Sequence, residues 1–366
     1  MRRNIVAATA ALLASCALLP QTALAQTATE TVASKGALPE ATPSDLPRNA
    51  RPSHYSIHII PDMEALTLGG AASIDLEVFE PSEAVTVHAN ELDILSAQMW
   101  PVAGGEPIAL TAILDPEAQT ASLAAAETIA PGKYRLDITY TGTIYTQANG
   151  LFALDYPDKR TGEEVRGLFT QFEAPDGRRF APMFDEPSYK ASFDLSATVP
   201  AELMAVGNMP IVSEEDLGDG MKLVNFATTP VMSSYLLFFA LGDFERATKL
   251  TSEGTEIGIV APAGSGDQVN YALDSTAEML PFYSEYFDMP YTLPKLDNVA
   301  GPGRSQFFSA MENWGAIFTF ERLLLLDPAV SSDSVRQTIY EVAAHEVAHQ
   351  WFGNIVTMAW WDDLWL

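Results

Sequence analysis

Cysteine is almost absent. Cys16 is the only one, so the chain holds no disulfide of its own. Cations are also scarce: Lys and Arg total 20 against 48 Asp and Glu, for a formal charge of -28. Nucleic acid and anionic membranes are excluded as partners, because both would be repelled. Histidine occurs five times. The sequence lacks internal repeats, and beyond its N-terminus no run approaches the roughly 20 apolar residues of a membrane span. What it does have is 48% hydrophobic and 10% aromatic residues over 366 positions, enough to bury cores in two or three domains.

The first residues read as an export signal over 1–25. Arg2 and Arg3 precede the apolar run Ile5 to Leu19, and Ala23-Leu24-Ala25 forms a small-x-small cleavage site before Gln26. Leu13-Ala14-Ser15-Cys16 offers a lipoprotein signal with Cys16 as the anchor. Soluble export is favoured, because the apolar run continues past Cys16 into a good cleavage site. Export without disulfides suits a bacterial periplasm or secretion. Residues 26–51, rich in Ala, Thr, Ser and Pro without periodicity, predict a flexible leader.

From residue 52 to about 245 the period is two. Ile57 and Ile59, then Ile74, Leu76 and Val78, then Tyr134, Leu136, Ile138 and Tyr140 alternate with polar residues, and Gly69-Gly70 and Pro131-Gly132 supply turns. This predicts a mostly antiparallel β domain that includes a buried strand over Tyr235 to Leu241. His54, His58 and His88 fall among its strands as structural residues with no metal role. Residues 246–366 are mixed. A strand at Glu256 to Val260 leads to a helix over Gln268 to Phe287, perturbed by Pro281, and four Pro or Gly residues predict a loop over Tyr291 to Gly303. Phe307 to Phe318 then reads as one strand-like run.

The last stretch carries the chemistry. In Glu341-Val-Ala-Ala-His345-Glu346-Val-Ala-His349-Gln-Trp351, helical spacing turns both imidazoles to one face, where they can hold one metal ion. Glu346 then faces the remaining coordination position as a general base. Ser331, Ser332 and Asp333 offer N-caps, and Gly353-Asn354 is a stop signal. An Ala-rich core helix with two His by accident is the alternative. With five His, chance produces this pattern in roughly one such chain in two hundred, so zinc is the stronger reading.

Ala310-Met311-Glu312-Asn313 ahead of that helix resembles the zinc aminopeptidases of the aminopeptidase N and leukotriene hydrolase group. So do Thr170-Gln171-Phe172-Glu173-Ala174, Arg178-Arg179 and Phe184-Asp185-Glu186-Pro187 upstream. The resemblance runs from about Pro52 to Leu366. It implies a multidomain protein, a saddle-like antiparallel β sandwich followed by an α+β thermolysin-like domain. It implies one zinc ion on His345 and His349, with Glu346 as the base. By the same resemblance Glu312 holds the α-amine of a peptide with a free N-terminus, Gln171 and Glu173 are contacts from the β domain, and Ala310, Met311 and Asn313 line the peptide. Ser309 stands where the family usually has Gly, which predicts altered side-chain selectivity.

The family's third ligand, a Glu about eighteen residues beyond the second His, falls roughly two positions past Leu366. The resemblance therefore predicts a chain truncated before its site is complete, with weak zinc binding and little or no activity alone. Trp351, Trp360, Trp361 and Trp365 are expected to lack packing partners and to form an exposed patch. An endopeptidase, an epoxide hydrolase or an inert peptide-binding protein remain as alternatives.

Overall fold

The computed structural model describes residues 36–305 and 308–364. The segment read as an export signal, with Cys16, lies outside the described residues, as do Phe307 and Trp365.

The period-two segments build two sheets. The larger has ten strands in the spatial order Ile211–Gly218, Met221–Phe226, Ser192–Pro200, Ala50–Asp62, Thr67–Val78, Gly132–Thr143, Asp93–Pro101, Ile108–Asp115, Thr120–Ile129 and Ser82–His88. Its neighbours are antiparallel except Ala50–Asp62 and Ser192–Pro200, which run parallel with Tyr55 opposite Phe193. Alternation puts Tyr55, Ile57 and Ile59 inside and His54, Ser56 and His58 on the other face. There His54 Nδ1 meets Ser192 Oγ at 2.8 Å and His58 Nδ1 meets Ser196 Oγ at 2.9 Å. His88 is buried, and Asp185 N–H donates to its Nδ1 at 3.3 Å. Burial and the Arg178 charge push His88 down to about 3, so its 3.9 Å approach to Glu186 is not an ion pair.

The second sheet has the order Met204–Gly207, Phe239–Gly242, Glu164–Gln171 and Gly150–Pro157. The strand expected over Tyr235 to Leu241 starts late: Ser234–Leu236 is a 3-10 turn, and only Phe239–Gly242 pairs. Gln171 closes the strand Glu164–Gln171, so the chain leaves this sheet at Gln171 and passes directly through Glu173.

A five-stranded mixed sheet follows, in the order Phe244–Leu250, Glu256–Pro262, Lys295–Gly301, Ala316–Phe320 and Ala310–Met311. Lys295–Gly301 is its central strand, parallel to both neighbours and buried at every position. This corrects the loop expected over 291–303. Pro294 lies just before the strand, Gly301 ends it and Pro302-Gly303 follow, so none of them interrupts the ladder. Its interior does not alternate because both faces are covered. Val260, Val299 and Phe318 join the core of the strand-rich part, while Ile259, Leu296 and Ile317 face helices α1 (Asn270–Tyr286) and α2 (Asp333–His349). The sheet is thus a wall between two cores, and each large side chain buried in it contributes about 1.5–3 kcal/mol.

Helix α1 continues through Pro281. Packing of Tyr283 and Phe287 on Trp351 offsets the hydrogen bond lost there. The patch expected over the tryptophans is corrected at two of them. Trp351 is buried and its indole N–H donates to Met289 O at 3.0 Å, while Trp361 meets Tyr235 edge to face. The flexible leader is also corrected from residue 36 onward. Leu38 and Leu46 enter the core, and Glu186 Oε1 accepts from Asp45 N–H at 2.8 Å and Leu46 N–H at 3.1 Å. Among the described residues no helix is long and apolar enough to cross a membrane.

Candidate active site

Helix α2 begins at Asp333 after an extended Ser332 and ends at His349, where the chain turns sharply through Trp351 to Val356. His345 and His349 lie on one face with their Nε2 atoms 3.1 Å apart. His349 Nδ1 is 2.6 Å from the Phe352 carbonyl, which only accepts, so Nδ1 carries the proton and Nε2 keeps its lone pair. Burial lowers both histidine pKa values, and at His345 the neighbouring His349 adds to it, leaving both neutral at pH 7. Neutral imidazole is the ligand form. Two nitrogens on a tetrahedral zinc with bonds of ~2.0–2.1 Å sit about 3.3 Å apart, so the pair fits that metal. Among the described residues no group of three or more His, Cys, Asp or Glu side chains is placed to hold a metal ion together.

The strand-like run of 307–318 is broken, which corrects that expectation. Ala310–Met311 pairs antiparallel with Ala316–Phe320, and residues 312–315 between them form a buried turn. Buried backbone without a ladder needs other partners. Gln350 Nε2 and Asn354 Nδ2 donate to Glu312 O at 3.3 and 3.0 Å, and Asn208 Nδ2 donates to Trp314 O at 2.9 Å. Lys295 Nζ donates to Gly315 O at 2.8 Å, and Gly315 N–H donates to Gln350 Oε1 at 3.3 Å. Asn313 is fully buried, its amide 3.4 Å from Leu237 O, so it braces the turn. Ala310–Met311 is the last strand of its sheet, the position at which an extended peptide can add. Ser309 is exposed just ahead of it, its carbonyl accepting from Phe320 N–H at 3.1 Å.

Three carboxylates converge behind that strand. Glu312 and Glu346 are buried and Glu173 is half-buried. Desolvation raises the pKa of all three; the charge of Glu312 adds to it at Glu173, and those of Glu312 and Glu173 add to it at Glu346. Glu346 Oε2, Gln171 Oε1, Asn313 Oδ1 and Asn354 Oδ1 are buried without a hydrogen-bond partner among the described residues, while Gln171 Nε2 lies 3.4 Å from Glu173 O. Such a site is short of positive charge and of donors.

Stability follows from these shifts. A carboxyl whose pKa is raised on folding binds more protons folded than unfolded, so its contribution is present at low pH and lost as pH rises through the folded value. With Glu173 pushed up to about 8, the metal-free protein should lose several degrees of Tm between pH 6.5 and 8. His54, raised by Asp194, contributes in the same direction, so the control is Glu173→Gln, which should flatten the slope. An unchanged slope in that variant would remove Glu173 as its cause.

The sequence profile of the Peptidase M1 N-terminal domain matches residues 51–236, and that of the Peptidase family M1 domain matches residues 271–366. Aminopeptidase N of Acetobacter pasteurianus is 41% identical over 321 residues, 88% of this chain and 88% of its own. The chain belongs to peptidase family M1. Puromycin-sensitive aminopeptidase of Caenorhabditis elegans is 38% identical and endoplasmic reticulum aminopeptidase 1 of Homo sapiens 36%, each over 88% of this chain. The match spans 34% of the length of those two relatives. Within this M1 chain, a strand-rich portion precedes part of the peptidase domain. The structure brings together His345, His349, Glu346, Glu312 and Glu173, sets Gln171 beside Glu173 and leaves Ser309 outside. Sequence reasoning missed Gln350, Asn354 and Tyr235, whose hydroxyl donates to Gly353 O at 3.1 Å. The available signal was polar side chains set inside the apolar runs around Trp351 and Leu236.

Proposed function

We propose that this chain forms the peptide-binding and zinc-holding portion of an aminopeptidase that removes N-terminal residues from peptides with a free α-amine. The observation carrying this reading is the convergence of Glu173, Glu312 and Glu346, buried without a cation, beside two neutral imidazoles. An endopeptidase has no use for so much buried negative charge. A peptide's α-ammonium supplies what is lacking, since a charge-assisted grip in a dry pocket is strong and fixes its distance from the first carbonyl.

His345 and His349 are the zinc ligands in this reading. Zinc, when bound, supplies Lewis-acid polarisation and a more acidic water. Glu312 and Glu173 take the ammonium, whose charge lowers their pKa values and that of Glu346. Glu346, ionised as the ammonium arrives, accepts a proton from the attacking water and returns it to the leaving amine as the C–N bond breaks. Ala310 and Met311 offer their edge to the peptide backbone. Two imidazoles make an open and weak metal site, so low zinc affinity and low turnover are the proposed properties of these 366 residues by themselves. The export signal read over residues 1–25 supports a periplasmic or secreted location, with lipidation at Cys16 as the other route.

With saturating zinc, an aminoacyl substrate should turn over at least about 100-fold faster than its N-acetyl derivative, because acetylation removes the charge and leaves Glu312 and Glu173 unpaired. Equal rates on the two substrates would overturn the reading.

A further inference from the structure

Gln350 is fully buried, and its amide bonds to both halves of the site. Its Nε2 donates to the main-chain carbonyl of Glu346 at 3.2 Å and to that of Glu312 at 3.3 Å, while Oε1 accepts from Gly315 N–H at 3.3 Å. One planar group thus holds the backbone of Glu346 on α2 and both ends of the turn 312–315. That turn has no ladder of its own; apart from Ala316 N–H donating to Asn313 O at 3.0 Å, what pins it comes from other elements. Asn208 and Lys295 fix its far end from the strand-rich part and the central strand, and Asn354 reaches Glu312 O without touching Glu346. Among the described residues, Gln350 is the side chain whose bonds include the main chain of both carboxylates.

We propose that Gln350 is a positioning residue that sets the spacing between Glu312 and Glu346, and so fixes how many bonds separate the bound amine from the group acted on. The inference rests on the proposed assignment of Glu312 to the amine. The physical basis is rigidity: a planar amide with each of its polar atoms engaged, in a fully buried site, leaves the two backbones no freedom to slide. Without it, the turn keeps its anchors on Asn208 and Lys295 but loses its registry with α2.

The test uses metal-free protein and calorimetric titration of two probes, leucinamide and its homologue with one methylene inserted between the amine-bearing carbon and the carbonyl. Wild type should prefer leucinamide by about tenfold or more. Q350M, close in shape but unable to bond, should reduce that preference to within about threefold while still binding both probes. N354A, which removes a bond to Glu312 O yet leaves the link to Glu346, should weaken both probes while retaining the preference. A side chain that served packing alone would lower both affinities in parallel, and an unchanged preference in Q350M overturns the proposal. If Q350M lacks a cooperative melt, Q350N, with the amide one methylene back, carries the same comparison. Wild type that binds neither probe removes the amine assignment itself, an outcome distinct from binding without a change in preference.

Discussion

Glu346→Gln is expected to lower kcat for an aminoacyl substrate by roughly 10²–10⁴-fold at saturating zinc, the range a positioned general base supplies. Gln keeps the shape of the side chain and cannot accept the proton. Glu346 sits 5% exposed, one residue after His345, with Oε2 free of any hydrogen-bond partner among the described residues. An atom buried and unpaired in that way is held ready for a group that arrives with the substrate. The same substitution should raise stability at pH 8, since it removes an acid that desolvation, Glu312 and Glu173 hold well above its ordinary pKa. Loss of activity with gain of stability separates a functional carboxylate from a structural one. Glu312→Gln should instead raise KM more than it lowers kcat, because its carboxylate acts on the bound amine. Wild-type kcat in Glu346→Gln would mean that another group takes the proton.

Gly315→Ala is expected to destabilise the protein by roughly 2–5 kcal/mol, combining a left-handed backbone with a clash. Gly315 has φ +80, and a Cβ there would lie 2.5 Å from Asn208 O and 2.8 Å from Leu293 Cδ1. The leucine can shift, whereas Asn208 is bonded through Nδ2 to Leu236 O and Trp314 O and through Oδ1 to Phe238 N–H. Because Gly315 closes the turn that carries Glu312, its displacement should weaken amine binding along with the fold. Thermal melts of the wild type and variant measure the first effect, and calorimetry with leucinamide measures the second. A variant that melts with the wild type would show that the turn relaxes at little cost.

The sequence by itself determined what depends on near neighbours. Spacing of four placed His345 and His349 on one face, because helical pitch is a local property, and alternation placed Tyr55, Ile57 and Ile59 inside a sheet for the same reason. Resemblance of the motifs pointed to Glu312, Glu173 and Glu346 as candidates. Tertiary structure decided the rest. Lys295–Gly301 became a central strand although its Pro and Gly neighbours signalled a loop, since burial on both faces erases the alternation that marks a strand. Asp45 and Leu46 were held by Glu186, far along the chain, and the run expected as one strand was broken at 312–315 because Gln350, Asn354, Asn208 and Lys295 replace its ladder. Each of these is a bond between distant positions. A polar residue in a motif shows that a partner is needed, and only the packed chain selects which backbone group it meets.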